Sequence, residues 1–372
     1  MKAFQQTADL HQFLALMERR SASDLHLKEG SPPILRIAGK VVRVDSRGLT
    51  SAEIERMAFQ VLDDTRRRRF ERLGDVDFAV SPPAGGRYRI NLFRQRGWAS
   101  LAVRRVNTVI PTFDELQLPE GVRRLADMHQ GLIIVAGPTG CGKSTTLASM
   151  IERINQTKSR HIVTIEDPIE YLFQDKECFI DQREVGIDVA SWKEALKHVV
   201  RQDPDVILIG EMRDQETFQA GLTASETGHM VFGTLHSSTV GQTFGRILDL
   251  FPSERHAQIA HSLSFNLRGM VCQKLLPACE PPDTQVPTCE ILIVNPSTRK
   301  LIHELEFSKI PDALRIHLHE GMLDFNTSLA KLFQGGKITR QVAFEASSNV
   351  EALKMVLQGI DVGASSGLLG RS

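Results

Sequence analysis

Apolar residues change their spacing part-way along the chain. In residues 8–20, Leu10, Phe13, Leu14 and Leu16-Met17 recur at helical spacing and predict a helix. Short apolar runs at Asp24–Leu27, Ile34–Ile37 and Val41–Val44 predict strands, the last two joined by a Gly39-Lys40 turn. Helices are expected over 51–62 and 65–73. Asp75–Val80, Arg87–Arg94 and Ala99–Val106 then read as an antiparallel run, with a Pro/Gly turn over 82–86. Residues 1–106 are thus expected to form a small α/β domain. The stretch 107–120, with two prolines and little periodicity, reads as a linker (107–118) or a segment laid across a domain interface.

From residue 119 the pattern becomes apolar strands alternating with helices. Strands are expected at 132–136, 161–165, 206–209 and 230–235, and helices at 144–155, 191–201 and 214–225. That alternation predicts an α/β domain over 119–372, with a mostly parallel, helix-covered sheet. A helix over 254–268 should follow, then strands at Met270–Leu275 and Glu290–Val294 separated by a loop from Pro277 to Thr288. Small helices are expected at 309–319, 324–334, 339–346 and 350–358. The last ten residues, 363–372, read as frayed.

Composition narrows the class only modestly. The 372 residues carry 45 basic and 45 acidic side chains and are 41% hydrophobic, an ordinary soluble balance with no cationic excess for nucleic acid. The N-terminus lacks a signal-peptide pattern, and nowhere do about 18 apolar residues run together, so a cytoplasmic chain without membrane insertion is expected. Cys272, Cys279 and Cys289 lack a Cys-x-x-Cys pair and a fourth ligand, which argues against structural zinc.

The chemistry concentrates around Gly137-Pro138-Thr139-Gly140-Cys141-Gly142-Lys143-Ser144. An apolar strand precedes this glycine-rich stretch and a helix follows it. Backbone N–H groups there can converge on phosphate oxygens at the positive end of the helix. Lys143 can reach the β/γ-phosphates of a nucleoside triphosphate, the Ser144 hydroxyl can ligate Mg²⁺, and Thr145 completes the nucleotide-binding set. Cys141 contributes its backbone, and its thiol would be open to oxidation if exposed. Glu211, ending the apolar strand segment Asp205–Glu211, is a candidate for handling Mg²⁺, directly or through water. Glu166, ending another strand, is the best candidate to polarise the attacking water, although it could simply end a strand. His229 and His236 bracket a further strand; one or both could meet the γ-phosphate or another subunit, or be structural.

Read together, GPTGCGKSTTLASMIERIN, TIEDPIEYLF, RQDPDVILIGEMRDQETF and ETGHMVFGTLHSS resemble the secretion ATPase superfamily, and within it the PilT/PilU retraction motors of type IV pili. SASDLHLKEGSPPILRIAGK and GRYRINLFRQRG extend the resemblance over nearly the whole chain. The resemblance implies a PAS-like N-terminal domain, a RecA-like ATPase domain with a C-terminal helical extension, and a homo-hexameric ring using ATP and Mg²⁺. It implies that Glu166 is the general base and that Arg89, Arg96 and Arg104 approach nucleotide across a domain or subunit interface. Read without it, those arginines fit the wet face of a strand. The resembled main motor carries a motif close to Ala-Ile-Arg-Asn-Leu-Ile-Arg-Glu. The stretch Asp312–Glu320 departs from it, and GMLDFNTSLAKLFQGGKITRQVAFEASSN is nearer the accessory PilU-like branch, which is the expected placement. Implied partners are then the main retraction ATPase paralogue and an inner-membrane pilus platform protein, with the chain peripheral at that membrane. The main PilT-like retraction ATPase is the alternative placement, and a nucleotide-binding ring subunit without strong hydrolysis and a nucleic-acid translocase are the further competing functions.

Overall fold

A computed structural model describes residues 9–37, 39–83, 85–281 and 284–359. The turn expected over 82–86 falls partly outside these residues at Ala84, and the expected frayed end, 363–372, lies outside them entirely. The chain forms two compact units. One runs to Val109 and takes in Glu170–Leu172; the other comprises Ile110–Ile169 and the chain from Phe173 onward.

The first unit contains α1 (Leu10–Arg19), β1 (Asp24–Lys28), β2 (Ile34–Ile37), β3 (Lys40–Arg43), α2 (Ser51–Phe59), α3 (Asp64–Leu73), β4 (Asp75–Val80), β5 (Tyr88–Gln95) and β6 (Trp98–Arg105). Among the described residues its sheet has the order β3-β2-β1-β6-β5-β4, antiparallel throughout. Alternation along β5 buries Tyr88, Ile90 and Leu92, which meet Phe13, Leu14 and Met17 of α1 and Phe70 of α3 in one core. A reciprocal Thr50–Glu53 capping box starts α2, and Asp63 caps α3, satisfying N–H groups that a helix start leaves open. A one-residue bridge from Asn107 to Tyr171 joins the Glu170–Leu172 segment to this unit.

The second unit contains α4 (Glu120–Ala126), β7 (Gly131–Ala136), α5 (Lys143–Thr157), β8 (His161–Glu166), β9 (Phe179–Glu184), α6 (Trp192–Val199), β10 (Val206–Ile209), α7 (Gln215–Glu226), β11 (Met230–Leu235), α8 (Val240–Leu248), α9 (His256–Asn266), β12 (Leu267–Pro277), β13 (Gln285–Ile293) and α10 (Pro296–His303). It ends with α11 (Ile310–Ile316), α12 (Phe325–Gln334), α13 (Arg340–Ala346) and α14 (Val350–Leu357). The sheet order is β13-β12-β7-β11-β10-β8-β9, parallel except for β13 against β12. Leu147, Met150, Ile151 and Ile154 of α5 cover one face with Ile133, Val135 and Leu208. Phe218, Leu222 and Phe244 of α7 and α8 cover the other with Ile134, Ile165, Ile207 and Val231.

Several expectations need correction. The loop from Pro277 to Thr288 is largely a hairpin, because β12 runs to Pro277 and β13 already begins at Gln285. Its residues read as loop-like because of their prolines, yet Pro287 is accommodated on the edge strand, where a missing N–H costs little. Helices α4, α8 and α10 and strand β9 were not foreseen. β9 is the outer strand and its alternation is mostly polar, Phe179-Ile180-Asp181-Gln182-Arg183-Glu184. The stretch read as a linker is docked from Ile110 on: Phe113 is buried against α5's core, and Ser149 donates to the Pro111 carbonyl at 2.5 Å.

Phe232 is fully buried in the central strand β11. Phe232→Ala should cost about 3–5 kcal/mol through lost burial plus a residual cavity. Thermal unfolding should show the transition of the second unit falling; an unmoved transition would contradict the packing described.

Candidate active site

Parallel registration decides which side chains can meet. Ile134 of β7, Gly233 of β11, Ile209 of β10 and Ile165 of β8 lie in one row across the sheet. One residue further along come Thr234, Gly210 and Glu166, and then Ala136, Leu235, Glu211 and Asp167. All four strands therefore deliver their following loops to the same carboxyl edge, where the phosphate-type loop 137–144 also begins. Ligands of open α/β sheets bind at that edge.

The loop itself is built on left-handed glycines, Gly140 (φ 78°) and Gly142 (φ 88°), leading straight into α5. Pro138, Thr139, Gly140 and Ser144 are exposed, whereas Gly137 and Lys143 are buried. Thr145, half-buried, stands next in the first turn. Lys143 donates from Nζ to the Gly137 carbonyl at 2.9 Å and the Pro138 carbonyl at 3.0 Å, so its cation is held inside the loop's own curve. Cys141 is buried at 3% exposure, and burial pushes its thiol up from the ordinary value. The condition for oxidation, an exposed thiol, is therefore not met: a protonated, enclosed sulfur is a poor nucleophile.

The two candidate carboxylates sit in different surroundings. Glu166, 8% exposed, accepts from Thr164 Oγ1 at 2.7 Å and from Gln182 Nε2 at 3.2 Å. Gln182 comes from β9, the strand that sequence reading missed. Glu211 is flanked by Arg213, whose Nη2 lies 2.6 Å from Oε2, and by His236, whose Nε2 lies 3.0 Å from Oε1. Burial raises the Glu211 carboxyl, but the Arg213 hydrogen bond and the charges of Arg213, His236 and Lys143 outweigh it and hold it below the usual range. Arg213 stood inside a quoted motif without a role; its position two residues after the strand-ending acid was the available signal.

The histidines separate. His236 follows the carboxyl end of β11 and pairs with Glu211. His229 precedes the amino end, where its Nδ1 lies 2.9 Å from the Ala224 carbonyl and 3.0 Å from Thr227 Oγ1. The six residues of β11 place it roughly 20 Å from that edge at strand rise, so within one chain it does not join this site. It lines instead a mainly apolar groove of about 630 Å³ with Leu196, Val200 and Ala220.

In the first unit, Arg89 and Arg104 are direct cross-strand partners. Arg104 Nε donates to Asp24 at 2.8 Å, and Arg36 lies 3.7 Å from the same carboxylate. Burial raises the Asp24 carboxyl, but hydrogen bonds from Arg104 and Ser23 bring it below the ordinary value. Arg96 is not on a strand: it has φ 53° and, with Gly97, makes the two-residue turn between β5 and β6.

The model of the family "Type II/IV secretion system protein" matches residues 9–332. This chain belongs to that family. It is 39% identical over 337 residues to the type IV pilus retraction ATPase PilT of Pseudomonas aeruginosa, covering 91% of this chain and 97% of that protein. It is 36% identical over 350 residues to the type IV pilus ATPase PilU of the same organism, covering 94% and 91%. A solved structure of the pilus retraction motor PilT with bound ADP superposes with a TM-score of 0.86 at 42% identity, covering 93% of this chain and 99% of that one. This family member is an ATP-hydrolysing enzyme, with a two-domain α/β architecture and a RecA-like nucleotide-binding domain.

These similarities overturn the placement on the accessory PilU-like branch, since they favour PilT. The motif of the main motor has a nearer counterpart elsewhere in the chain. Asp312–Glu320 spans the end of α11 and a separate tight turn. The earlier stretch Ser297–Glu304 repeats the motif's arginine, leucine, isoleucine and glutamate as Arg299, Leu301, Ile302 and Glu304, almost all within α10.

Glu290 of β13 is 5% exposed and accepts from the Val240 amide at 3.0 Å, fixing the start of the helix that follows His236. Burial pushes its carboxyl up to about 7, with Asp324 adding to the rise and the Val240 N–H and Lys274 opposing it. The folded value lies above an unfolded value of about 4.3, so the folded state keeps a proton that the unfolded chain has released. Stability from this group is therefore present at low pH and lost as pH rises towards about 7. Melting midpoints of wild type and Glu290→Gln should converge near pH 4 and separate by pH 8, with the variant higher. Parallel curves over that range would contradict the assignment.

Proposed function

We propose that this chain is a PilT-type motor, a homo-hexameric ring that hydrolyses ATP to retract type IV pili from the cytoplasmic side of the inner membrane. The observation carrying this reading is 39% identity that spans almost the full length of the P. aeruginosa retraction ATPase, supported by strands that deliver Lys143, Ser144, Glu166, Glu211 and His236 to one sheet edge. In this reading Gly137–Thr145 cradle the phosphates, Lys143 leaves the Gly137 and Pro138 carbonyls for the β/γ-phosphates, and Glu166 takes the proton of the attacking water. The Thr164 and Gln182 donors fix the carboxylate's orientation.

Mg²⁺ fits the donor set. The Ser144 hydroxyl is exposed beside the loop, and Glu211 is held ionised by its neighbours. Both Glu211 oxygens are already engaged by Arg213 and His236, which favours holding the ion through water. The ion would supply charge neutralisation for the bound phosphates. Arg213 and His236 would meanwhile stand by to accompany the carboxylate. The pilus platform protein is the proposed membrane partner. We also take the first unit, an antiparallel sheet with α1, α2 and α3 packed on its core, as the PAS-like domain.

Arg89, Arg96 and Arg104 remain the proposed source of positive charge from a neighbouring subunit. Arg104 would have to exchange Asp24 for phosphate. Mixing Arg104→Ala with Glu166→Gln, each inactive alone, should restore partial ATPase activity in mixed rings. No recovery in verified mixed rings would leave Arg104 with the structural Asp24 contact.

Glu166→Gln should bind ATP with near wild-type affinity and lose turnover by about 10²-fold or more, since an amide cannot take the proton. In a piliated host lacking its own copy, wild-type protein should restore twitching, and Glu166→Gln and Lys143→Ala should not. Full twitching with either variant would reject the catalytic assignment. Normal pilus retraction without the chain would reject the biological one.

A further inference from the structure

We infer that Gln273, on β12, is a positioning residue for ATP turnover that sets the shape of the phosphate loop from below. The inference rests on the ATPase activity and is independent of the pilus assignment. Gln273 is 3% exposed and lies one residue beyond Cys272, the register partner of Ala136 at the end of β7. Its side-chain amide makes two bonds to the loop region. Nε2 donates to the Cys141 carbonyl at 2.7 Å, and Oε1 accepts from Thr146 Oγ1 at 2.8 Å. Thr146 is 1% exposed and sits in the first turn of α5, so one amide ties the crest of the loop to the helix that the loop feeds.

The close approach is visible from the glycines as well. A Cβ on Gly142 would lie 2.8 Å from Gln273 Nε2, and one on Gly137 would lie 2.5 Å from the Gln273 carbonyl oxygen. Both glycines are therefore needed for the loop to seat on Gln273, over and above their left-handed or extended backbone. Peptide planarity turns this seat into a phosphate-facing device. With the Cys141 carbonyl drawn inward to Gln273, the N–H of the same peptide, that of Gly142, points the opposite way. That is outward, on the side where Thr139, Gly140 and Ser144 are exposed. If the amide is lost, the buried Cys141 carbonyl and Thr146 hydroxyl lose their partners, and the peptide is free to rotate away from the anion-binding geometry.

The test uses the full chain, with MgATP and MgADP as probes. Gln273→Met keeps the volume and loses both bonds. Gln273→Glu keeps the acceptor for Thr146 and loses the donor to Cys141. Thr146→Val removes the hydroxyl alone. Nucleotide Kd and the KM for ATP should rise about 10-fold or more in both Gln273 variants and less than about 5-fold in Thr146→Val. Adding Thr146→Val to Gln273→Met should cost little further, because the shared bond is already gone. Wild-type binding and turnover in the same assay separate failure of this inference from absence of ATPase activity. Unchanged Kd and KM in Gln273→Glu and Gln273→Met would overturn it. So would a fall in nucleotide-free melting temperature with normal affinity in the folded fraction, which would leave Gln273 a packing residue only.

Discussion

Parallel pairing of β7, β11, β10 and β8 is the constraint on which the rest depends. Each strand contributes one useful residue at or just past its end, and no two of these are close in sequence. Only the shared direction and register of the strands put Gly137, His236, Glu211 and Glu166 at one edge. The register is maintained by two apolar layers, α5 on one face and α7 and α8 on the other, because a slip of one residue would exchange the faces of every side chain. His229 shows the same rule from the other side. It flanks the same strand as His236, but the strand's length carries it away from the chemistry.

Within that frame the two acids are differentiated by neighbours. Glu211 stands between Arg213 and His236, which hold its carboxyl below the usual range and occupy both oxygens, suited to organising charge. Glu166 accepts from a hydroxyl and an amide, Thr164 and Gln182, which orient the carboxylate. Environments that push two carboxyl groups towards different tasks are the usual way one fold divides acid–base work. Gln273 and Glu290 belong to the same design, on opposite strands of the β12–β13 hairpin. One seats the phosphate loop and the other fixes the start of α8, so the hairpin braces both segments that approach the nucleotide edge.

The core of this arrangement was legible because buried parallel strands are short apolar runs and the phosphate loop has a fixed spacing. Val206–Ile209 and Met230–Leu235 stand where the apolar pattern puts them. β9 was illegible because an edge strand can be polar, and with it went Gln182, the neighbour of Glu166. Gln273 was invisible for another reason. It lies more than a hundred residues from the loop in a strand read only for its apolar members, and nothing local marks its amide as buried. Arg104 fits a wet strand face in sequence. Asp24, which occupies it, comes from a strand 80 residues earlier, a pairing that only antiparallel register reveals.

The most direct test of the central claim is an experimental structure of the full chain with Mg²⁺ and a non-hydrolysable ATP analogue. The triphosphate should be wrapped by residues 137–145, with Lys143 moved from the Gly137 and Pro138 carbonyls onto the β/γ-phosphates. Glu166 should lie within one water of the γ-phosphorus, with the Gln273 bonds to Cys141 and Thr146 intact. A γ-phosphate beyond the reach of a Glu166-held water, or Lys143 still bonded to the loop carbonyls, would contradict it.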